Sequence, residues 1–378
     1  MKIAIAIDSF KGSLSSKDAE KVVEEAIQSL LPECETICIP IADGGEGTLS
    51  VIMETTGTTI HTVLAHNPCM EIIPTQYGIA ADGQTAIIEM ATISGLPLIH
   101  KCQQNPMETT TFGTGELILD ALKKGCIRFI VGIGGSATND AGTGMLQALG
   151  FKFLNKKGEL LGQGGKTLID IVKIDHSQVT PLLKKAHFIV ACDVRNPFYG
   201  PEGAAFVYAR QKGADDTMII KLDKGMQSFA EVIQQETGKD ISLIPGSGAA
   251  GGLGGGMLAL LNAELKSGAD LLLDFCKFEE KVSDADLIIT GEGSIDRQSL
   301  MGKIPGKILQ TAHKHHIPVI AISGIAKDRD LLKQAGFKDI YTTKPEFMTI
   351  EEAMKPGIAE QNLKNTVLSI FSQSVNFD

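Results

Sequence analysis

The sequence predicts a two-domain α/β protein: a doubly wound parallel sheet built from both ends of the chain, with a mixed α/β domain inserted between them. Three observations carry that prediction. The N-terminal forty residues read as strand, helix, strand. The last third repeats the same alternation, and the middle instead carries turn dipeptides of the kind that join antiparallel strands.

Lys2 to Ile7 is a short apolar run ending at Asp8, as expected of a strand buried on both faces. Ser15 or Ser16 can cap a helix whose apolar positions, Ala19, Val22, Val23, Ala26, Ile27 and Leu30, fall on one face, and Pro32 stops it. Thr36 to Ala42 reads as a second strand ending at Asp43, so the pair forms a βαβ unit with parallel strands. Near the other end the expected elements are strands at Asp286–Thr290, Pro318–Ser323 and Asp339–Thr343. Helices are expected at Lys303–His316, Asp328–Ala335 and over most of Glu351–Phe371. In the middle, Asp82-Gly83 separates strands at Thr75–Ala80 and Thr85–Met90, a hairpin signal. A second hairpin is expected from Phe151–Leu154 and Glu159–Leu161 around Lys156-Lys157-Gly158. A helix near Gly115–Lys124 feeds a strand at Ile127–Val131, and His187–Ala191 is a further strand. The domain boundaries follow: residues 1–66 with 278–378, and an insert of 67–277 that carries the Gly-rich loops, with the active site expected in the cleft between the two.

Composition narrows the function. Among 378 residues, 35 Lys and Arg stand against 45 Asp and Glu, a net charge of −10, which excludes general electrostatic attraction to nucleic acid or anionic membrane. An anionic ligand must therefore be held by local devices: backbone N–H loops, a metal ion or a few placed cations. Trp is absent and aromatics are 5%, too few for a base-stacking platform. The seven cysteines include no Cys-x-x-Cys pair and read as reduced, mostly buried thiols. With no signal-peptide pattern at Met1–Ile7 and no apolar run long enough to span a bilayer, the expectation is a cytoplasmic protein.

Four glycine segments could carry chemistry. Asp8-Ser9-Phe10-Lys11-Gly12-Ser13 and Asp43-Gly44-Gly45-Glu46-Gly47-Thr48 each follow a predicted parallel strand, where doubly wound sheets bind ligands. Asx turns or helix caps would explain Asp8 and Asp43 equally well at this level. Gly132 to Asp140 follows a strand and precedes a Gly-rich helix, so its N–H groups could cradle phosphate at the helix N-terminus. It matches G-x-G-x-x-A, but the next strand ends in Asn155, Lys156 and Lys157 rather than in the acidic residue a dinucleotide's ribose needs. Gly246 to Gly256 could approach a phosphate or could serve close helix packing. P-loop, nucleophile-elbow and zinc-protease signatures are missing, and His313, His315 and His316 fall in a predicted surface helix. What remains is a set of strand-end carboxylates: Asp193, Glu292 and Asp296. Carboxylates beside glycine loops suit Mg²⁺-assisted phosphoryl transfer, because Mg²⁺ takes one or two carboxylates together with substrate phosphates.

The stretches DSFKGS (8–13), ADGGEGT (42–48), GGSATND (134–140), ACDVRNP (191–197), QKGA (211–214), GAAGGLG (248–254) and TGEGSID (290–296) resemble, in order, the motifs of the type-1 glycerate kinase family. The resemblance covers nearly the whole chain. It implies ATP-dependent phosphorylation of D-glycerate with Mg²⁺, and a flavodoxin-like domain split between the chain ends. A kinase of another small hydroxy acid and a non-catalytic sugar-acid or nucleotide sensor are the alternatives, and a homo-oligomer is left open. With 2-phosphoglycerate the favoured product, the expected roles follow placement. Asp193, Asp43 and Lys11 are the catalytic candidates, with Asp193 the first choice of general base. Asp8, Ser9, Gly44 and Arg195 would bind substrate. Gly134, Gly135, Ser136, Thr138, Asn139, Gly248, Gly251 and Gly252 would bind nucleotide, and Asp296 or Glu292 would hold the metal.

Overall fold

The computed structural model of the chain describes residues 1–10, 12–41 and 48–374. The chain divides into one unit of Met1–Thr55 with Ser267–Asp378 and another of Thr56–Lys266.

The first unit begins with β1 (Lys2–Ile7), whose Ile3 to Ile7 are fully buried. Ser15 then caps a helix at Ser16–Leu30 by accepting the Asp18 N–H at 3.1 Å, and the helix buries Ala19, Val22, Val23, Ala26 and Ile27, the face its spacing predicts. Strand β2 (Glu35–Cys38) is shorter than the expected Thr36–Ala42. Ile39 still donates to the Ile5 carbonyl, but Pro40 has no N–H to continue the ladder.

The second unit opens with a meander, β3 (Thr59–His66), β4 (Ile72–Ile79) and β5 (Thr85–Glu89), paired antiparallel. Between β4 and β5 the expected turn is present: Asp82 accepts the N–H groups of Gln84 and Thr85, and Gly83 has φ +67°. Strand β6 (Arg128–Gly132) then lies parallel to β5. The short strands β7 (Lys152–Leu154) and β8 (Lys173–Asp175) pair with each other. The expected hairpin partner Glu159–Leu161, though no strand of its own, meets β7 at an antiparallel bridge Leu154–Leu160, with the Asn155 N–H donating to the Glu159 carbonyl at 3.0 Å and the Leu161 N–H to the Phe153 carbonyl at 2.9 Å. Strands β9 (His187–Ala191) and β10 (Glu264–Lys266) complete a mixed six-stranded sheet of order β10-β9-β6-β5-β4-β3. A 22-residue helix, Asp216–Thr237, buries Leu222, Met226, Phe229 and Ile233 against this unit's core. Its Asp215 cap accepts the Met218 N–H at 2.8 Å. Asp215→Ala is expected to cost about 1 kcal/mol of stability, read from the urea midpoint at unchanged slope.

Back in the first unit, β11 (Leu287–Ile295), β12 (Val319–Ala326) and β13 (Asp339–Thr342) finish a five-stranded sheet of order β13-β12-β11-β1-β2. Every pair is parallel. In the unit's own strand sequence that order is 2-1-3-4-5, the flavodoxin arrangement, whose topological switch point lies between β1 and β11. Strand β11 runs past the expected Thr290, so most of the TGEGSID stretch is strand rather than loop. Gly291 permits this, since a Cβ there would stand 1.9 Å from the Ile322 carbonyl oxygen of β12. The helices Ile304–Lys314, Arg329–Gln334 and Pro356–Ser374 cover the sheet, the last through Leu363 and Val367. No helix among the described residues is long and apolar enough to cross a membrane.

Candidate functional site

In the first unit all strands point the same way, so their carboxyl ends share one edge, and a cavity of about 360 Å³ opens there. Its floor comes from Asp8 to Phe10 after β1, Glu292 to Ser294 in β11, Gly324 and Ile325 in β12, and Thr343 and Lys344 after β13. Asp8 is 3% exposed and accepts the Ser9 N–H at 2.6 Å. Glu292 is 8% exposed; it accepts the Ser299 hydroxyl at 2.5 Å and has the Lys303 ammonium 3.7 Å away. The Ser13 hydroxyl oxygen, also on the cavity, is buried without a partner among the described residues. Two buried carboxylates, two lysines and a hydroxyl against an apolar wall of Ile350, Ala353 and Met354 line a candidate ligand site at the switch point.

The structure thus brings Asp8, Ser9 and Glu292 together. It does not bring Asp296 to them. That carboxylate caps the short helix Arg297–Leu300, accepting the Gln298 N–H at 2.8 Å, and it does not line the cavity. Among the described residues no group of three or more His, Cys, Asp or Glu is placed to hold a metal by itself. A magnesium ion that takes one or two carboxylates and completes its shell with phosphate and water still fits Asp8 and Glu292. Lys11, Asp43 and Gly44 lie outside the described residues.

In the second unit the loop after β6 exposes Gly134 and Gly135 and buries Ser136 through Asp140. Among the described residues, the N–H groups of Gly134, Gly135, Ser136 and Thr138 donate to no backbone carbonyl. Among the described residues the Thr138 hydroxyl and the Asn139 side-chain oxygen are buried without partners. Backbone N–H donors that meet no carbonyl fit the phosphates of a nucleotide. The helix that follows, Thr143–Ala148, does not contribute its N-terminus as the sequence suggests. Asp140 takes those N–H groups, accepting from Gly142 at 3.1 Å and Gly144 at 3.2 Å, and also from the Thr111 N–H and hydroxyl at 2.8 and 2.9 Å. Burial pushes the Asp140 carboxyl above the usual carboxylate range, and these donors pull the other way.

The second glycine run is closely packed. A Cβ on Gly248 would meet the Pro197 carbonyl oxygen at 2.1 Å, and one on Gly251 the Thr138 carbonyl oxygen at 2.1 Å. Gly251 (φ +67°) and Gly252 (φ +89°) are buried, and the Gly251 carbonyl accepts the Ala141 N–H at 3.0 Å. These glycines let one backbone lie against another, as their lack of a side chain permits. They also fix the loop after β9: Gly246 and Gly248 both donate to the Asn196 carbonyl, and Asn196 accepts the Tyr208 hydroxyl at 2.6 Å. Asp193 and Arg195 ride on that loop, exposed to solvent.

Sequence reasoning missed several residues. Lys212 is 1% exposed and reaches the glycine loop, and its only signal was its place in QKGA. Lys303 and Lys344 line the first unit's cavity. Glu89 ends β5 in register with Gly132, and burial raises its carboxyl. Among the described residues no cysteine forms a disulfide; Cys126 and Cys276 are buried and Cys102 is exposed. His315 faces Glu279 at 3.1 Å, away from any site.

A family model described as the glycerate kinase family matches residues 3–374. The chain is 42% identical over 376 residues to a protein named glycerate kinase from Halalkalibacterium halodurans, covering 98% of this chain and 99% of that one. It is 42% identical over 356 residues to the glycerate 2-kinase of Escherichia coli, covering 94% and 93%. A crystal structure from Salmonella typhimurium LT2, of a protein provisionally named glycerate kinase 2, superposes with a TM-score of 0.85 at 38% identity, over 99% of this chain and 98% of that one.

Proposed function

The chain belongs to the glycerate kinase family and transfers a phosphoryl group to glycerate, and from that premise we propose that it uses ATP and Mg²⁺ to phosphorylate the 2-hydroxyl of D-glycerate. The observation that carries the reading is the pair of buried carboxylates, Asp8 and Glu292, sharing one cavity with Lys303 at the switch point. The name of the Escherichia coli relative supports the 2-position.

Within the first unit, Asp8 and Ser9 bind substrate, and Asp8 and Glu292 hold the metal, which when bound supplies charge neutralisation for the phosphates. Lys11 and Asp43 keep their catalytic roles, Asp43 as second choice of base, and Gly44 its substrate-binding role, all by their placement in the sequence. Within the second unit, Gly134, Gly135, Ser136, Thr138 and Asn139 hold the nucleotide's phosphates, the first four through N–H groups that donate to no backbone carbonyl among the described residues. Asp193 accepts the proton of the attacking hydroxyl, and Arg195 attracts the substrate carboxylate. Both stand on a loop whose shape is fixed by the Asn196 bonds before substrate arrives, which lowers the cost of orienting them.

The test is ADP release from MgATP with D-glycerate, against L-glycerate, tartronate and no acceptor, followed by phosphorus NMR of the product. Turnover that needs both D-glycerate and Mg²⁺ and yields 2-phosphoglycerate is the expected result. A 3-phosphoglycerate signal would overturn the regiochemistry. Faster turnover of another hydroxy acid would overturn the substrate.

A further inference from the structure

The side chain of Lys212 is buried in the second unit, yet it carries an ammonium with three donors. Two are spent, one on the Ser136 hydroxyl at 2.5 Å and one on the Thr138 carbonyl at 2.7 Å. Both acceptors are neutral. Asp140 acts on the ammonium through its charge, but its oxygens are engaged by Thr111, Gly142 and Gly144, and Lys212 forms no ion pair among the described residues. A buried cation is ordinarily paired, because leaving one unpaired in a low-dielectric interior is costly. The loop that Lys212 holds also presents Gly134 and Gly135 to solvent, and among the described residues their N–H groups donate to no backbone carbonyl. The turn that presents Lys212 is fixed: Gly213 has φ +100°, and a Cβ there would stand 2.1 Å from the Gln104 carbonyl oxygen.

We propose that Lys212 is the positioning residue of the Gly134–Thr138 loop, holding its shape from the buried side and supplying the positive charge that a nucleotide's phosphates neutralise. The proposal rests on the reading that this loop takes the phosphates. Burial pulls the Lys212 ammonium down to about 7, with the charge of Asp140 acting against the shift. The charged form exists below that value, so phosphate affinity falls as pH rises through neutrality. Glu89, raised by burial, repels phosphate when ionised and acts in the same sense. The profile is therefore read as the difference between parent and variant.

The experiment measures the Kd of MgATP by calorimetry from pH 6 to 9, with kcat and both KM values, for four proteins: the parent, Lys212→Met, Lys212→Arg and Gly134→Glu. A Cβ at Gly134 meets nothing within 4 Å, so the glutamate can be accommodated and serves as the probe of the loop itself. Lys212→Met is expected to weaken MgATP about 10–100-fold at pH 6.5, with glycerate KM unchanged and much of the parent's pH dependence gone. Lys212→Arg should recover part of the affinity and show the same flatter profile, because its charge does not titrate. Gly134→Glu should weaken MgATP as well. If only Gly134→Glu weakens it, the loop reading stands and the role of Lys212 is overturned. If neither does, both fall. An effect of Lys212→Met alone also overturns the proposal, since the lysine would then act elsewhere than through the loop. Should Lys212→Met not fold, the arginine variant decides: a profile as steep as the parent's overturns it.

Discussion

An Asp193→Asn variant is expected to turn over glycerate ~10²–10⁴ times more slowly than the parent, with nucleotide affinity little changed. The parallel register of β9 with β6 and β10 carries the chain out at the carboxyl end of the sheet, and Asp193 stands just beyond Ala191, exposed. The loop that bears it is tied down at Asn196 by Gly246, Gly248 and Tyr208, so an isosteric amide should leave the backbone in place. What the amide cannot do is accept the hydroxyl's proton. The loss should therefore fall on kcat and spare the Kd of MgATP, which is read in parallel by calorimetry. A kcat within a few-fold of the parent would remove Asp193 from the base role and pass it to Asp43, whose own Asp→Asn variant is the next comparison.

The second large effect is on stability. Glu20 lies on the buried face of the helix Ser16–Leu30, 4% exposed, with one carboxyl oxygen that has no partner among the described residues. Burial pushes its carboxyl from the usual 4.5 up to about 8, and hydrogen bonds at Ile7 and Ser16 offset this only in part. The folded state thus binds the proton more tightly than the unfolded chain does. That contribution is complete below pH 4.5, fades as pH climbs, and is gone above about 8. Glu20→Gln carries no such titration. It should match the parent near pH 4.5 and exceed it by about 3–5 kcal/mol at pH 9, as measured by urea unfolding at each pH. Equal stabilities at pH 9 would show that Glu20 is ionised in the folded protein without cost.

Much of the fold could be read from local pattern, because the parallel sheet of the first unit is made of short apolar runs alternating with amphipathic helices. The helix at Ser16–Leu30 shows both the reach and the limit of that reading. Its capping serine and apolar stripe were evident, but Glu20 shares the buried face, and a pattern of apolar residues passes over a buried carboxyl. The end of β11 was illegible for another reason: glycines inside TGEGSID look like a loop, and only the neighbouring Ile322 carbonyl explains why a strand needs one at Gly291. The same holds for Gly248 and Gly251, whose partners, Pro197 and Thr138, are distant in sequence. Strand β3 alternates polar and apolar residues over only eight positions, which leaves its period ambiguous. The helix Asp216–Thr237, by contrast, carries legible signals that were passed over, Asp215 before it and Gly238 after it. For the site, strand-end position singled out Asp8 and Glu292 separately, Asp8 with Asp43 and Glu292 with Asp296. That both line one cavity appears only once β1 and β11 are seen side by side. Lys212 could not be inferred, since a lysine in sequence is presumed to be in water until its burial is seen.

The adjacency of β1 and β11 also sets a schedule for biosynthesis. The Lys2 N–H bonds the Asp286 carboxylate across 284 residues of chain. At ~5–20 residues per second, a ribosome needs ~15–60 s to cover that distance. During this interval the insert from Thr56 to Lys266, which has its own core, can settle. Ile3, Ile5 and Ile7, however, have only the helix and β2 that follow them as company, and the edge of β1 that β11 will occupy stays open. A bare, apolar strand edge held for that long is a template for pairing with another nascent chain. The topology that creates a ligand site at the switch point thereby leaves the newborn polypeptide dependent on shelter, such as a holding chaperone, until its last third has emerged.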